Sequence, residues 1–498
     1  LQRNEFLEGE LKMSVSEAPL EAEMFIDGKR QGGGLELREI RNPATGELVG
    51  SVPSGTESEA DQAVDAANQA FDSWWSTPAA KRGELVMAAA GAVRSRIGEL
   101  SVLLTSEQGK PLREARIELT RFCDTLEHYA GLSKSLRGGY VPDLDEAAFG
   151  QILKRPLGVV AAIIPWNFPT TLLANKLGPA LVTGNTVVAK PADTTPLTTV
   201  SICQIMHEAG IPSGVLNVVT GRGSIIGEAL ATHPLVSKVA FTGSTPVGRR
   251  IMTLASGTTK RVTLELGGSD PLIVLADADI DKAASAASVG RFFNCGQACL
   301  AVKRVFVAEE VADALCEKLV EKARRLTVGD PMADGTRLGP LHTDTQRSEV
   351  AAQVEDAAES GAEVMIGGKR PQGEQYDHGF FYEPTLVHEP AQNSRVATEE
   401  VFGPALPIWR VRDLEEALGL ANSSIYGLGS SIWTRDLDAA SYAAQKLHAG
   451  YTWVNSPQKI YDELPFGGMG QSGFGKEHGN EALDYYLESK SVVIRRQV

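Results

Sequence analysis

Paired cysteines are what this 498-residue sequence most plainly lacks. Its five, Cys123, Cys203, Cys295, Cys299 and Cys316, are odd in number, spread out and contain no C-x-x-C. Such a set argues against a disulfide framework or a structural zinc site, and the expectation is a reducing, cytoplasmic setting. The eight histidines stand singly, with no pair at helical or metal-binding spacing, so no catalytic metal is expected. Basic residues are also short: 48 Lys and Arg face 63 Asp and Glu, for a net charge of -15. This argues against a nucleic-acid partner, because gripping phosphates takes clustered Lys and Arg. The longest apolar run, Leu157 to Pro165, falls well short of the roughly 20 residues of a membrane span. No short repeat and no low-complexity tract interrupts the chain.

What is present, 43% hydrophobic and 22% charged residues, fits a globular protein of two or three domains. Residues 1–23 carry six Glu and no apolar stretch of signal-peptide length, and read as a solvated, flexible tail. Leu1 opens the sequence and Met13 lies inside that tail, which raises the expectation that part of residues 1–12 is not native.

Around Pro43 and Gly46, Arg38 to Val52 reads as two strands joined by a turn. Thr56 with Glu59 makes a capping box, and Ala60, Val64, Ala67, Phe71 and Trp74 recur at helical spacing, with further helices to about Ala130. The polar, alternating stretch 136–154 reads as an exposed pair of strands. From Gly158 to Leu266 short apolar runs alternate with helical segments, which implies right-handed βαβ units and a doubly wound α/β sheet. Ligands of such sheets sit beyond the carboxyl ends of the strands. A second α/β block starts near Pro271, and the closing SVVIRRQV alternates like an exposed strand that pairs with Tyr140 to Ile152 or with a second subunit.

Four segments could carry chemistry. In FFNCGQACLA, Cys299 follows a turn signal, and with the upstream Glu265 of LELGG it could form and hydrolyse a thioester; taken alone, a small buried cysteine and a capping carboxylate explain the pair as well. In Pro165-Trp166-Asn167-Phe168-Pro169 two prolines fix a loop at a strand end, so the Asn167 amide could stabilise an oxyanion, or be an ordinary turn residue. FTGSTPVG opens a helix after a strand and places Gly243 and Ser244 where backbone N–H groups could meet a pyrophosphate; helix-start packing is the alternative. Lys190 and Asp193 follow the strand TVVAK, as a ribose-binding acid does in dinucleotide sites, or form a surface ion pair.

PWNFP, FTGS, LELGG, FFNCGQAC and EEVFGP in this order make the chain resemble the aldehyde dehydrogenase superfamily, from about Met24 to Arg496. The resemblance implies an α/β fold: a Rossmann-type NAD-binding domain (24–135 and 155–267), an α/β catalytic domain (268–466) and a small β oligomerisation element (136–154 and 487–498). It implies oxidation of an aldehyde to a carboxylic acid with NAD, or NADP, as cofactor, in a homodimer or homotetramer. Cys299 would be the nucleophile and Glu265 the general base. Asn167 with the Cys299 N–H would form the oxyanion hole, and Lys176 would lie near the active site. Cofactor contacts would come from Ile164, Pro165, Trp166, Lys190, Asp193, Gly223, Phe241, Gly243, Ser244 and Leu266, with Glu400 and Phe402 at the nicotinamide end. Asp193 stands where many relatives have Glu.

Relatives that bind succinate semialdehyde carry Arg at the positions of Asn175 and Phe293. An uncharged aliphatic or aromatic aldehyde is therefore expected, with a semialdehyde or glyceraldehyde-type substrate, assisted by Lys459, as the alternative. A cofactor-independent thiol esterase and a non-catalytic scaffold are the readings from other classes. If the segment before Cys299 is helical, Cys295 shares its face and could join it in a redox switch; mere tolerance of a small side chain there is the alternative.

Overall fold

Residues 19–496 are described by a computed structural model, and residues 1–18 of the expected tail lie outside it. The end of that tail is not free: Leu20–Glu21 pairs in parallel with Gly50 and Ser51, and the Ala22 N–H donates to the Ser51 carbonyl. Leu37–Arg41 and Leu48–Pro53 complete this antiparallel hairpin.

The helix Glu57–Ser76 begins where the capping box places it. Glu59 accepts the Thr56 N–H at 2.7 Å while Thr56 Oγ1 accepts from Ser58, an arrangement that stabilises a helix start by about 1 kcal/mol. Ala60, Val64, Ala67 and Trp74 are buried, and Trp74 Nε1 donates to the Leu181 carbonyl. Phe71, expected on the same face, is only half-buried and stacks on Trp75.

An eight-stranded sheet forms the first α/β unit, with five parallel strands at its centre, side by side as Arg261–Glu265, Val236–Thr242, Val159–Ile163, Thr186–Lys190 and Leu216–Val218. Val159–Ile163 and Thr186–Lys190 are buried at every position because helices cover both faces. The strand order reverses between Val159–Ile163 and Val236–Thr242, so the loops after these two strands part and leave a crevice. Behind the sheet lies the helix Pro169–Thr183, buried all round except at Thr171, with Leu112–Leu132 packed against it.

A seven-stranded sheet forms the second unit, in the order Glu363–Ile366, Thr385–His388, Ala405–Val411, Val302–Ala308, Asp270–Val274, Gly429–Trp433 and Tyr451–Val454. All neighbours are parallel except the first pair. The chain then returns to the first sheet, where Gly473–Phe474 pairs antiparallel with Leu264 and Glu265. This return brings residues 475–478 beside the site described below.

Leu487–Arg495 pairs antiparallel with Ala148–Pro156, which pairs with Gly139–Asp145, so the closing strand finds its partner within the same chain. The small sheet is mostly exposed and carries Tyr140, Val141 and Val493 on its surface. No helix among the described residues is long and apolar enough to cross a membrane.

Candidate active site

At the crevice where the strand order reverses lies a cavity of about 260 Å³. The loop after Val159–Ile163 contributes Pro165, Trp166 and Asn167, and the end of Val236–Thr242 contributes Thr242, Gly243 and Ser244. Leu266 and Gly267 follow the strand Arg261–Glu265, and across from them stand Cys299, Gln346, Glu400 and Phe402. The cavity thus joins the nucleophile candidate to the helix-start motif, although Ser244 and Cys299 lie 55 positions apart in the sequence.

The cavity walls have features that suit the pyrophosphate and nicotinamide end of a dinucleotide. A Cβ on Gly243 would stand 2.5 Å from the Phe241 ring, so no side chain fits there and the backbone stays open. Ser244 starts the helix Thr245–Ser256 without a side-chain cap, which leaves N–H groups and the positive helix end for an anion. Leu266 packs where a Cβ on Gly248 would fall. Phe402 meets Trp166 edge-on at 5.6 Å, and Trp166 stacks on His342 at 4.7 Å, which fixes the aromatic wall.

The residues before Cys299 do not form a regular helix. Asn294 and Cys295 have φ of 51° and 55° inside the short turn Phe293–Gly296, and Gly296 has φ of 74°. The turn is held from outside: the Asn294 N–H donates to Glu114, its Nδ2 donates to the Asn167 carbonyl at 2.9 Å, and Lys110 Nζ donates to that same carbonyl at 2.7 Å. Cys295 therefore does not share a helical face with Cys299, and it is buried in the core of the second unit. Burial pushes its thiol far up, so the structure offers no support for a redox pair. Cys299 is half-buried. Burial pushes its thiol up to about 12, Lys303 pulls it back, and Glu265, Asp270 and Glu400 oppose Lys303.

Asn167 is buried, and Nδ2 donates to the Gln297 carbonyl at 3.0 Å, which leaves the amide's second N–H uncommitted. The Cys299 N–H makes no hydrogen bond among the described residues. Glu265 is buried with both carboxylate oxygens unbonded. Burial raises its pKa well above 4.5, the like charge of Glu477 adds to this, and Lys176 and Lys476 act against it. A Cβ on Gly467 would come within 2.7 Å of Oε1, so glycine there makes room for this carboxyl.

Neither Glu265 nor Lys176 lines the cavity; Glu265 ends the strand whose next residues, Leu266 and Gly267, do. Lys176 Nζ donates to Thr242 Oγ1 at 2.6 Å and to Glu477 Oε1 at 2.8 Å, while Asn175 Nδ2 donates to Glu477 Oε2 at 2.8 Å. Among the predicted cofactor residues, Ile164, Lys190, Asp193, Gly223 and Phe241 do not line the cavity. The Ile164 N–H donates to the Lys190 carbonyl, and Phe241 backs Gly243. Lys190 is buried, donates to the Pro191 carbonyl and is lowered to about 8, chiefly by burial. Asp193 pairs with Arg38 at 3.4 Å. Gly223 opens the turn Gly223–Gly227 at the surface.

Sequence reasoning missed Glu477, Gln346, Thr242 and Lys303. Glu477 lies 301 positions from Lys176 and sits in no recognisable motif. For Lys303 a signal existed: a lysine four residues past the nucleophile candidate Cys299, in a strand where all seven residues prove buried.

A family model described as "Aldehyde dehydrogenase family" matches residues 31–492. The chain is 37% identical over 472 residues to the betaine aldehyde dehydrogenase of Bacillus subtilis (strain 168), which covers 94% of this chain and 96% of that protein. Among solved structures it resembles PnpE from Pseudomonas sp. WBC-3, with a TM-score of 0.94 at 38% identity, covering 96% of this chain and 99% of that one. It also resembles a betaine aldehyde dehydrogenase from Staphylococcus aureus in complex with NAD+, with a TM-score of 0.92 at 34% identity, covering 95% and 94%.

Proposed function

The chain belongs to the aldehyde dehydrogenase family and oxidises an aldehyde to a carboxylic acid with reduction of NAD(P), and from that premise we propose that Cys299 is its nucleophile, Glu265 its general base and Asn167 its oxyanion donor. The observation that carries this assignment is Cys299 on the wall of the cavity that also holds Gly243, Ser244, Glu400 and Phe402. A nucleophile and a dinucleotide site share one space.

The Cys299 thiolate attacks the aldehyde carbon. The oxyanion so formed takes the free N–H of the Asn167 amide and the Cys299 backbone N–H. Gly243, Ser244, Leu266, Glu400 and Phe402 would hold the cofactor, which would supply the acceptor for the hydride that leaves the tetrahedral carbon as its C–O double bond reforms. The remaining thioester is hydrolysed by water that gives its proton to Glu265. Glu265 must be ionised to do so, and Lys176 supplies positive charge on the side that burial and Glu477 make unfavourable. Pro165 and Trp166 line the same cavity; Ile164, Phe241 and Gly223 would support the cofactor from outside it, and Lys190 and Asp193 would meet its adenosine ribose.

The aldehyde is uncharged, aliphatic or aromatic. Phe293 lies parallel to Phe168 at 6.1 Å, and Asn175 is committed to Glu477, so neither position offers a cation to a substrate carboxylate. Lys459 is exposed and sits over the Tyr461 ring at 5.0 Å. The negative Asp193 favours NAD over NADP. Initial rates across a panel of neutral aldehydes, semialdehydes and aminoaldehydes, each with NAD and NADP, test these assignments; a preference for semialdehydes would overturn the substrate reading.

The exposed three-stranded sheet supports a role in assembly of a homodimer or homotetramer, and the free, unpaired cysteines support a cytoplasmic setting. The two large sheets and this small one support the division into cofactor domain, catalytic domain and oligomerisation element.

A further inference from the structure

Lys303 begins as an anomaly. It stands four residues past Cys299 in the strand Val302–Ala308, among Val302, Val305 and Val307, and its side chain is about as buried as theirs. An ammonium withdrawn from water persists only where charge and hydrogen bonds replace hydration. Here both do. Nζ donates to the Cys299 carbonyl at 2.6 Å and to Glu400 Oε1 at 2.6 Å, and it lies 5.6 Å from the centroid of the Phe402 ring. Glu400 Oε1 also accepts the Gly268 N–H at 3.1 Å. One buried cation therefore joins the nucleophile turn to the loop that bears Glu400 and Phe402, and Glu400 in turn ties both to the glycine pair after Glu265.

The two oxygens of Glu400 are used differently. Oε1 takes both hydrogen bonds, whereas Oε2 takes none among the described residues and lies 2.3 Å from where a Cβ on Gly267 would stand, at the cavity wall. We propose that Lys303 is a positioning residue that clamps Glu400 by one oxygen and Cys299 by its carbonyl, turning the other Glu400 oxygen to the cofactor and binding cofactor grip and nucleophile into one unit. The proposal rests on the roles assigned above to Cys299 and Glu400. A second consequence is electrostatic. Lys303 is the foremost charge that opposes the burial of the Cys299 thiol, and it is present whether or not cofactor is bound.

The experiment uses the whole enzyme with Lys303→Met, Lys303→Gln and Glu400→Gln. Two quantities are read: the Kd for NAD, and the pH midpoint of iodoacetamide alkylation at Cys299 without cofactor, followed by peptide mass spectrometry. Cys123, Cys203, Cys295 and Cys316 are buried, so Cys299 is the thiol that reacts first. Lys303→Met should weaken NAD about tenfold, as loss of a charge-assisted hydrogen bond does, and raise the alkylation midpoint by about one pH unit or more. Lys303→Gln keeps donors but no charge; it should fold even if the methionine variant fails to, and raise the midpoint equally. Glu400→Gln should weaken NAD without raising the midpoint, since it removes a negative charge. If the Lys303 variants lose only thermal stability and keep the wild-type Kd and midpoint, Lys303 is merely structural and the proposal is overturned. Turnover surviving in Cys299→Ala would instead overturn the underlying assignment, whatever Lys303 does.

Discussion

Replacing Asn167 with alanine separates catalysis from architecture at a single residue. Its backbone carbonyl, not its side chain, takes the hydrogen bonds from Lys110 and Asn294 that hold the loop against the nucleophile turn. Truncation beyond Cβ therefore leaves the loop anchored. The folded state loses one neutral hydrogen bond, from Nδ2 to the Gln297 carbonyl, and that carbonyl keeps Asn294 Nδ2 at 3.3 Å. The stability cost is about 1 kcal/mol. The transition state loses an oxyanion donor, a loss of about 100-fold to 1000-fold in kcat, or roughly 3–4 kcal/mol. Steady-state NADH formation should show kcat down by that factor with KM for aldehyde nearly unchanged, and thermal unfolding should move only slightly. A normal kcat with a raised KM would refute the oxyanion role and make Asn167 a binding residue.

Glu265→Gln should leave thiol attack intact but stall hydrolysis, giving a burst of NADH close to one per site and then slow turnover. In the wild type, the raised carboxyl pKa makes deacylation faster as pH rises through it, and folding takes up a proton, so the stability owed to this group falls over the same rise; the glutamine variant should lose both dependences. Gly243→Ala should raise the Kd for NAD by tenfold or more with a smaller change for aldehyde, because its Cβ would meet the Phe241 ring at 2.5 Å; equal affinity in an equilibrium titration would remove Gly243 from the cofactor site. Lys176→Met leaves Glu477 buried without its cation and should cost about 3–5 kcal/mol in denaturant unfolding; wild-type stability would mean that water reaches Glu477.

Elements governed by local rules were legible in the sequence. The Thr56 and Glu59 capping box, the fully apolar parallel strands and the loops after them needed only neighbours a few residues apart. The closing strand was legible as an exposed strand from its alternation, but its partner stayed open between Tyr140 to Ile152 and a second subunit. Contacts between distant segments were not. Glu477 reaches Lys176 only because the chain doubles back to pair Gly473–Phe474 with the strand that ends in Glu265. The helical reading of Cys295 failed for a related reason: Asn294 and Cys295 adopt left-handed angles held by Glu114 and Asn167, which no local propensity encodes. Leu20 and Glu21 looked like part of a solvated tail because their partner strand lies 30 residues on.

The central claim is that Cys299 does the covalent work in a space shared with the dinucleotide. The most direct measurement is NADH formation by wild type and Cys299→Ala on adding a neutral aldehyde and NAD, with mass spectrometry of the Cys299 peptide after an acid quench. The account predicts NADH and an acylated Cys299 peptide in the wild type and neither in the variant. Sustained NADH formation by Cys299→Ala, or acyl mass on another residue, would contradict it.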